Sequence, residues 1–209
     1  MSTNIKTAIF NTQYFGCIPM YQALIKHENI LIENQEYFQK MSYRNRCEIL
    51  GSVNIITLTV PLKGGRDQKI HTSDIEINNT EKWQTQHIRS LQSCYNKSAY
   101  FEHYAPELEQ IINRPYKNLH ELNLATIKWV LKKLKYTGNI SYTEQYHKTY
   151  PEDSFIDYRN QFIPKSRERY PTNNYYQLFQ QNGFQPGLSI LDLLFNEGPK
   201  AKSILINSQ

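Results

Sequence analysis

Cysteine is scarce in this chain: three in 209 residues, at positions 17, 47 and 94, with no C-x-x-C or C-x-x-H spacing. That argues against a structural zinc site, which needs closely paired ligands, and an odd number of isolated cysteines suits a reducing compartment. Long apolar runs are also missing. No window approaches the ~18 consecutive apolar residues of a membrane helix. The N-terminal MSTNIKTAIF has no basic segment leading into an apolar stretch, so no signal peptide is expected and a cytoplasmic protein is. The phosphate-cradling patterns G-x-G-x-x-G and G-x-x-x-x-G-K-[ST] do not occur. Neither does the H-x-G-H pair of nucleotidyltransferases. There are no internal repeats.

Charge of one sign is modestly in excess, +5 with a pI of about 8.9. The basic runs KKLK (132–135) and KSRER (165–169) are not interleaved with stacking aromatics, so nucleic acid is not an expected partner. Such runs are by default solvated surface. A mildly basic chain also suits a small anionic substrate. What the sequence has in quantity is tyrosine, sixteen of them. Tyrosine brings apolar area together with a hydroxyl that needs a partner, and so suits either half-buried positions or the wall of a polar-ligand site.

KTAIF (6–10) reads as a buried strand, Pro19 as the first turn of a helix, Met20 to His27 as that helix, and NILIE (29–33) as a second strand. This order gives a parallel βαβ unit. CEIL (47–50) and VNIITLTVPL (53–62) read as a hairpin, KGGRDQ (63–68) as a loop, and KIHTSDIEI (69–77) as an edge strand. The helix over 81–95 carries Trp83, His87, Leu91 and Cys94 on one stripe. Pro106 reads as the start of another helix. NLHELNLATIKWVLKKLK opens with a capping box, Asn118 and Glu121, ends on lysines that complement the helix dipole, and stops at Gly138. NISYTE (139–144) is a returning strand. From about 148 to 187 the periodic runs vanish and a long, irregular but ordered connection with short helices is expected, not a separate domain. LSILDLLFNEGP (188–199) restores a helix, with Ser189 and Asp192 as a second capping box and Gly198-Pro199 as its stop. The expected fold class is α/β, a mostly parallel Rossmann-like central sheet with an antiparallel extension over 47–77 and flanking helices.

Two stretches bear on chemistry. In QYFGCIPMYQALIK (13–26) a strand turns into a helix, where backbone N–H groups and a positive dipole end converge and Gly16 would let a ligand approach. The alternative is an ordinary βα turn packed by Tyr14 and Phe15. In SYRNRC (42–47) Arg44 and Arg46 would lie on one side of an extended segment with Asn45 on the other. Two guanidiniums on one side suit a two-point grip on phosphate or carboxylate. The alternative is a surface pair matched to Glu36 and Glu48. His87 is a candidate general base by its titration range, against a hydrogen-bonded core histidine. Cys17 and Cys94 are possible nucleophiles against inert buried thiols. Asp192 is explained by capping, and Asn123 has no evident structural role.

Taken with EYFQKMSYRNRCEI (36–49), LTVPL, Trp83 with HIRSLQSCYNKSAYFEHY, LNLATI and SILDLLFNEG, these blocks resemble the WbqC-like family of bacteria, nearly end to end, as one domain over 1–209. The first turn departs from many relatives, with Gly16-Cys17-Ile18 where they carry further prolines or aromatics. The resemblance implies a place in O-antigen or related surface-polysaccharide biosynthesis and an aminoacyl (glycine) transferase role. It implies a site drawn from Tyr14, Lys40, Arg44, Asn45, Arg46, His87, Asn123, Asp192 and Asn196. His87 would be the catalytic base and the others would bind a small anionic or nucleotide-linked sugar. The alternative is a non-catalytic sugar- or partner-binding protein of the same pathway. A nucleotide is the candidate cofactor, no metal is expected, and the oligomeric state is left open.

Overall fold

In a computed structural model, described here over residues 5–207, the chain is α/β. Residues 1–4, where the reading for a signal peptide begins, lie outside the described range. Four parallel strands form one sheet: β1 (Thr7–Asn11), β2 (Asn29–Glu33), β5 (Asn139–Tyr142) and β6 (Phe155–Asp157), in the order β5-β2-β1-β6. β3 (Arg46–Leu50) and β4 (Ile55–Thr59) form a separate antiparallel hairpin, with Arg46 opposite Thr59 and Glu48 opposite Thr57. Six α-helices accompany them among the described residues: α1 (Ile18–Leu24), α2 (Trp83–Tyr95), α3 (Phe101–Asn113), α4 (Leu119–Lys133), α5 (Ile190–Glu197) and α6 (Ala201–Ile206).

The βαβ start is β1-α1-β2, with Thr7 paired to Asn29 and Asn11 to Glu33. One side-chain row of the two strands, Ala8, Phe10, Ile30 and Ile32, joins the main apolar core together with Trp83, Leu122, Trp129 and Phe195. Alternate residues of a strand face opposite ways. The other row is mixed, with Ile9 buried, Leu31 half-buried, and Asn11 and Glu33 sealed at the strand ends.

The structure corrects five expectations. Residues 69–77 are not an edge strand. Thr72–Asp74 is a 3-10 turn, flanked by isolated bridges from His71 to Tyr37 and from Ile77 to Leu62. Ser73 and Asp74 break the alternation, while Ile75 and Ile77 still bury. Pro106 does not open a helix but sits inside α3, in its second turn. Its missing N–H leaves unbonded only the carbonyl of Glu102, in the helix's first turn. Asn118 flanks α4 without a capping side-chain bond, and its amide donates to the Ser73 carbonyl at 2.9 Å. The stretch 148–187 holds strand β6, which pairs in parallel with β1, and 3-10 turns at Pro164–Arg169 and Gln180–Asn182. Three residues are too few for a periodic signal, so this edge of the sheet is silent in sequence. At α5, Ser189 does cap, its Oγ accepting from Leu191 N, but Asp192 turns inward instead of closing a capping box.

Candidate functional site

The βα turn after β1 is closed by protein. Tyr14 N donates to the Tyr43 carbonyl, Phe15 N to Thr126 Oγ1, Cys17 N to Gln13 Oε1 and Ile18 N to the Leu188 carbonyl. A Cβ at residue 16 would lie 2.6 Å from Met20 Cε and 3.1 Å from Gln13 Oε1, so Gly16 leaves room for these two side chains. The close approach is thus to neighbouring side chains, and no converging set of free N–H groups remains. This is the packed turn, with Tyr14 and Phe15 both buried.

The carboxyl ends of parallel strands are where open α/β sheets bind ligands, and here they carry a dense buried polar network. Glu33, at the end of β2, accepts from Thr143 Oγ1 at 2.6 Å, Gln35 N at 2.8 Å and Arg159 Nη1 at 2.8 Å. Arg159 also grips Asp157, the last residue of β6, with Nε and Nη2, and it donates to the His147 carbonyl. Beside this, Arg44 donates Nε and Nη2 to the two carboxylate oxygens of Glu36, and Nη2 also reaches Asn160 Oδ1 at 2.7 Å. Asn160 adopts a left-handed backbone at φ 60°, a conformation asparagine tolerates better than most residues, and its N–H donates to Asn11 Oδ1. Burial pushes the Glu36 carboxyl above its usual range, with the Arg44 guanidinium pulling the other way. Nη1 of the fully buried Arg44 has no hydrogen-bond partner among the described residues.

Arg44 lies in the turn before β3, not in an extended segment, so it does not share a side with Arg46. It is an internal brace, its carbonyl accepting from Asn123 Nδ2 at 2.8 Å. That bond, with a longer one to Thr12 Oγ1, is the structural role of Asn123. Asn45 donates its amide to the Val60 carbonyl and ties the turn to the end of the hairpin. Arg46 is different. It is half-buried, and among the described residues its Nε is sealed without a partner and its guanidinium makes no ion pair. On a strand, residues two apart share a face, so Arg46 lies on the face of β3 that carries Glu48. Glu48 lines a polar groove of about 520 Å³ with Thr57, Pro164, Lys165, Arg167 and Glu168. The KSRER run therefore forms one wall of this groove. The groove and the buried network are joined along the chain on both sides, by Arg44 to Arg46 and by Asn160 to Pro164.

His87 is brought to both of the sequence-derived blocks. Its Nε2 lies 3.2 Å from the Thr59 carbonyl, opposite Arg46, and its Nδ1 lies 3.0 Å from Tyr14 Oη. A carbonyl only accepts, so Nε2 carries the proton and the Tyr14 hydroxyl donates to Nδ1. The ring packs edge-on to Trp83 with centroids 5.1 Å apart, and burial lowers its pKa to about 4. Lys40 stands apart, exposed and paired with an equally exposed Asp67. Asp192 and Asn196 form another group behind the far end of β3. Asp192 accepts from Tyr95 Oη at 2.7 Å, Tyr175 Oη at 2.6 Å and Gln177 Nε2 at 3.3 Å, and Asn196 donates to the Asp192 carbonyl. Cys17, Cys47 and Cys94 are free and buried, and burial raises each thiol, Cys17 to about 12, so none is a poised nucleophile.

Glu33, Arg159 and Asn160 were not signalled in sequence. Glu33 closes an apolar strand and so marks its carboxyl end. The other two fall in the aperiodic stretch.

Among the described residues no helix is long and apolar enough to cross a membrane, and no cluster of three or more His, Cys, Asp or Glu could hold a metal ion. No solved structure matches the chain. A protein of Mycobacterium tuberculosis (strain ATCC 25618 / H37Rv), described as uncharacterized protein Rv1507c, is 25% identical over 227 aligned positions that cover 96% of this chain and 97% of the relative. The description of the WbqC-like protein family matches residues 12–165 and 148–204, from the first βα turn through β6 to α6, and the chain belongs to the WbqC-like protein family.

Proposed function

We propose that the chain is a group-transfer enzyme of surface-polysaccharide biosynthesis, an aminoacyl (glycine) transferase whose anionic or nucleotide-linked sugar substrate sits in the groove beside the hairpin. The observation that carries this reading is Arg46. A half-buried guanidinium without a carboxylate partner is favoured where an anionic ligand completes it. On β3 it shares a face with Glu48, which lines the groove with Lys165 and Arg167. Arg44, by contrast, is neutralised by Glu36 and acts by holding the turn that presents Arg46. In acyl transfer to an amine, negative charge develops on the carbonyl oxygen during attack. Arg167 at the groove lies 3.6 Å from Glu48 and 3.5 Å from Glu168, so Arg46, with the exposed Lys165, is the cation offered to that charge or to the phosphates of a sugar nucleotide.

A second reading, a non-catalytic sugar-binding protein of the same pathway, is favoured by His87. A buried ring with both nitrogens engaged and a pKa near 4 is a poor base near neutrality. Calorimetric titration with nucleotide sugars, on the wild type and on Arg46→Ala, tests the groove. Mass spectrometry of a sugar nucleotide incubated with an activated glycine donor separates the two readings. A mass increase of one glycyl group supports transfer. Binding without it leaves the second reading, and no binding removes both.

A further inference from the structure

A second cavity, of about 310 Å³, opens at the carboxyl end of the edge strand β5, with Leu31, Thr143, Glu144, Gln145, His147 and Tyr150 among its lining. That volume is at the small end of the range for small-molecule sites, about 300–1,000 Å³. We propose that it binds a single sugar ring carrying a protonated amine, and that Glu144 is the residue that selects the amine. The role of this ring as acceptor rests on the transferase reading; its binding does not.

The chemistry of the wall argues for this class. Leu31 and Tyr150 offer apolar surface, Gln145 and Thr143 offer groups that hydrogen-bond hydroxyls, and no lysine or arginine lines the cavity. Glu144 is a carboxylate with no hydrogen-bond or ion-pair partner among the described residues. Behind the wall stand two more carboxylates, Glu33 and Asp157, both held by Arg159. A phosphate would therefore meet like charge, whereas an ammonium would pair with Glu144. The ring faces around this cavity are already taken by cations of the protein, which leaves Glu144 to select the amine. The Arg159 guanidinium lies 5.0 Å from the Tyr150 ring centroid and 5.3 Å from that of Tyr146, and Lys128 lies 5.9 Å from that of Tyr142, a further lining residue.

The cavity is also held in shape without a ligand. Arg159 donates to the carbonyls of His147 and Lys148, so the segment after β5 is tied to the ends of β2 and β6 through one guanidinium. Thr143 belongs to both structures, lining the cavity while its hydroxyl donates to Glu33. A site fixed in this way loses little conformational freedom on binding.

Saturation-transfer NMR and calorimetry at slightly acidic pH, with glucosamine, N-acetylglucosamine and glucose, test the proposal. Glucosamine is expected to bind about fivefold more tightly than N-acetylglucosamine, which has the same ring without the charge, since an exposed charge pair contributes up to ~1 kcal/mol. Glu144→Gln is expected to remove that difference and leave glucose binding unchanged. Glu144 is exposed and holds no other residue, so the variant should fold as the wild type does. Equal affinity for the two amino sugars, an unchanged preference in Glu144→Gln, or no saturation transfer from any sugar would each overturn it. A parallel titration with a nucleotide sugar separates the two sites. Absence of an amine preference in the wild type, with intact nucleotide-sugar binding, defeats this inference alone. An amine preference in a protein that transfers no glycine leaves the cavity assigned and the transferase reading refuted.

Discussion

Arg44 and Glu36 meet through two parallel hydrogen bonds, Nε to Oε1 at 2.8 Å and Nη2 to Oε2 at 2.5 Å, with side chains 0% and 4% exposed. A pair buried this deeply contributes little net stability over an apolar substitute, but breaking it from one side leaves an uncompensated charge. The carbonyl of Arg44 also receives Asn123, and the guanidinium also holds Asn160, so three segments converge on one residue. The first prediction follows. Arg44→Ala should destabilise the fold by about 3–5 kcal/mol. Arg44→Lys should restore only part of it, because an ammonium cannot match both oxygens. The double change Glu36→Met with Arg44→Met should recover more than Arg44→Ala. Urea denaturation of the four proteins checks this, and a double variant no better than Arg44→Ala would mean that the contacts of Arg44 to Asn160 dominate.

The parallel sheet was readable because β1 and β2 are apolar runs either side of a proline-led helix, and because Gly138 marks the return to β5. β6 was not, because three residues carry no period. Likewise SYRNRC announces two arginines but not their fates. Arg44 is captured by Glu36 because the chain turns over 41–45, and the extended geometry that would set the two guanidiniums side by side begins only at Arg46. His87 was readable as lying on a buried stripe. What seals it, Tyr14 and the Thr59 carbonyl, comes from residues 73 and 28 positions away, and only tertiary structure supplies them. The groove wall at KSRER looks like any solvated charge run until Arg46 is seen on the neighbouring hairpin face.

Arg46 should behave in the opposite way to Arg44. Since its guanidinium has no ion-pair partner, Arg46→Ala is expected to leave the urea midpoint nearly unchanged. It should weaken nucleotide-sugar binding by about 1.5–3 kcal/mol, the range for a hydrogen bond to a charged group. Calorimetry and denaturation on the same variant separate the two effects. A large loss of stability with unchanged affinity would place Arg46 among the structural residues.

Asp192 is fully buried without a cation, held by Tyr95, Tyr175 and Gln177, and burial raises its carboxyl above the ordinary range. Tyr95 Oη also accepts from Leu50 N at 3.0 Å, so this hydroxyl links α2, α5 and the end of β3. Tyr95→Phe strands both the Leu50 N–H and one carboxylate oxygen, whereas Tyr175→Phe strands only the carboxylate and the Gln177 amide's second contact. Each is expected to cost about 1–3 kcal/mol, and Asp192→Asn should cost more at pH 5 than at pH 7, because asparagine cannot take up the proton that stabilises the wild type in acid. For a group whose folded pKa is raised, the penalty of the charged form is relieved as pH falls through that pKa. Thermal or urea unfolding of the three variants at pH 5 and pH 7 measures this. Tyrosine variants indistinguishable from wild type would show that the carboxylate is satisfied some other way.

His87 supplies a pH dependence of the opposite sign. Its folded pKa is lowered from the ordinary 6.5 to about 4 because burial penalises the imidazolium, while the one group that would favour it, the Thr59 carbonyl, is outweighed. Above pH 6.5 both folded and unfolded states hold the ring neutral, and the histidine contributes no slope. As pH falls from 6.5 towards 4, the unfolded chain takes up a proton that the folded chain refuses, so stability declines across that window. A gap of about 2.5 pKa units corresponds to roughly 3 kcal/mol at most. Glu36 and Asp192, whose carboxyls are raised, gain stability over the acid end of the same range and partly mask the decline. The difference between wild type and His87→Gln isolates the histidine. The glutamine keeps an amide donor for Thr59 but leaves Tyr14 Oη and Trp83 with altered packing, so at pH 7 the variant should be less stable by about 1–3 kcal/mol. Between pH 6.5 and 4 that deficit should shrink, and near pH 4 the two proteins should converge. Urea midpoints at half-unit pH intervals read the trend. A deficit that is constant with pH would mean that His87 titrates alike in both states, and the ring would then be accessible enough to serve as a base after all.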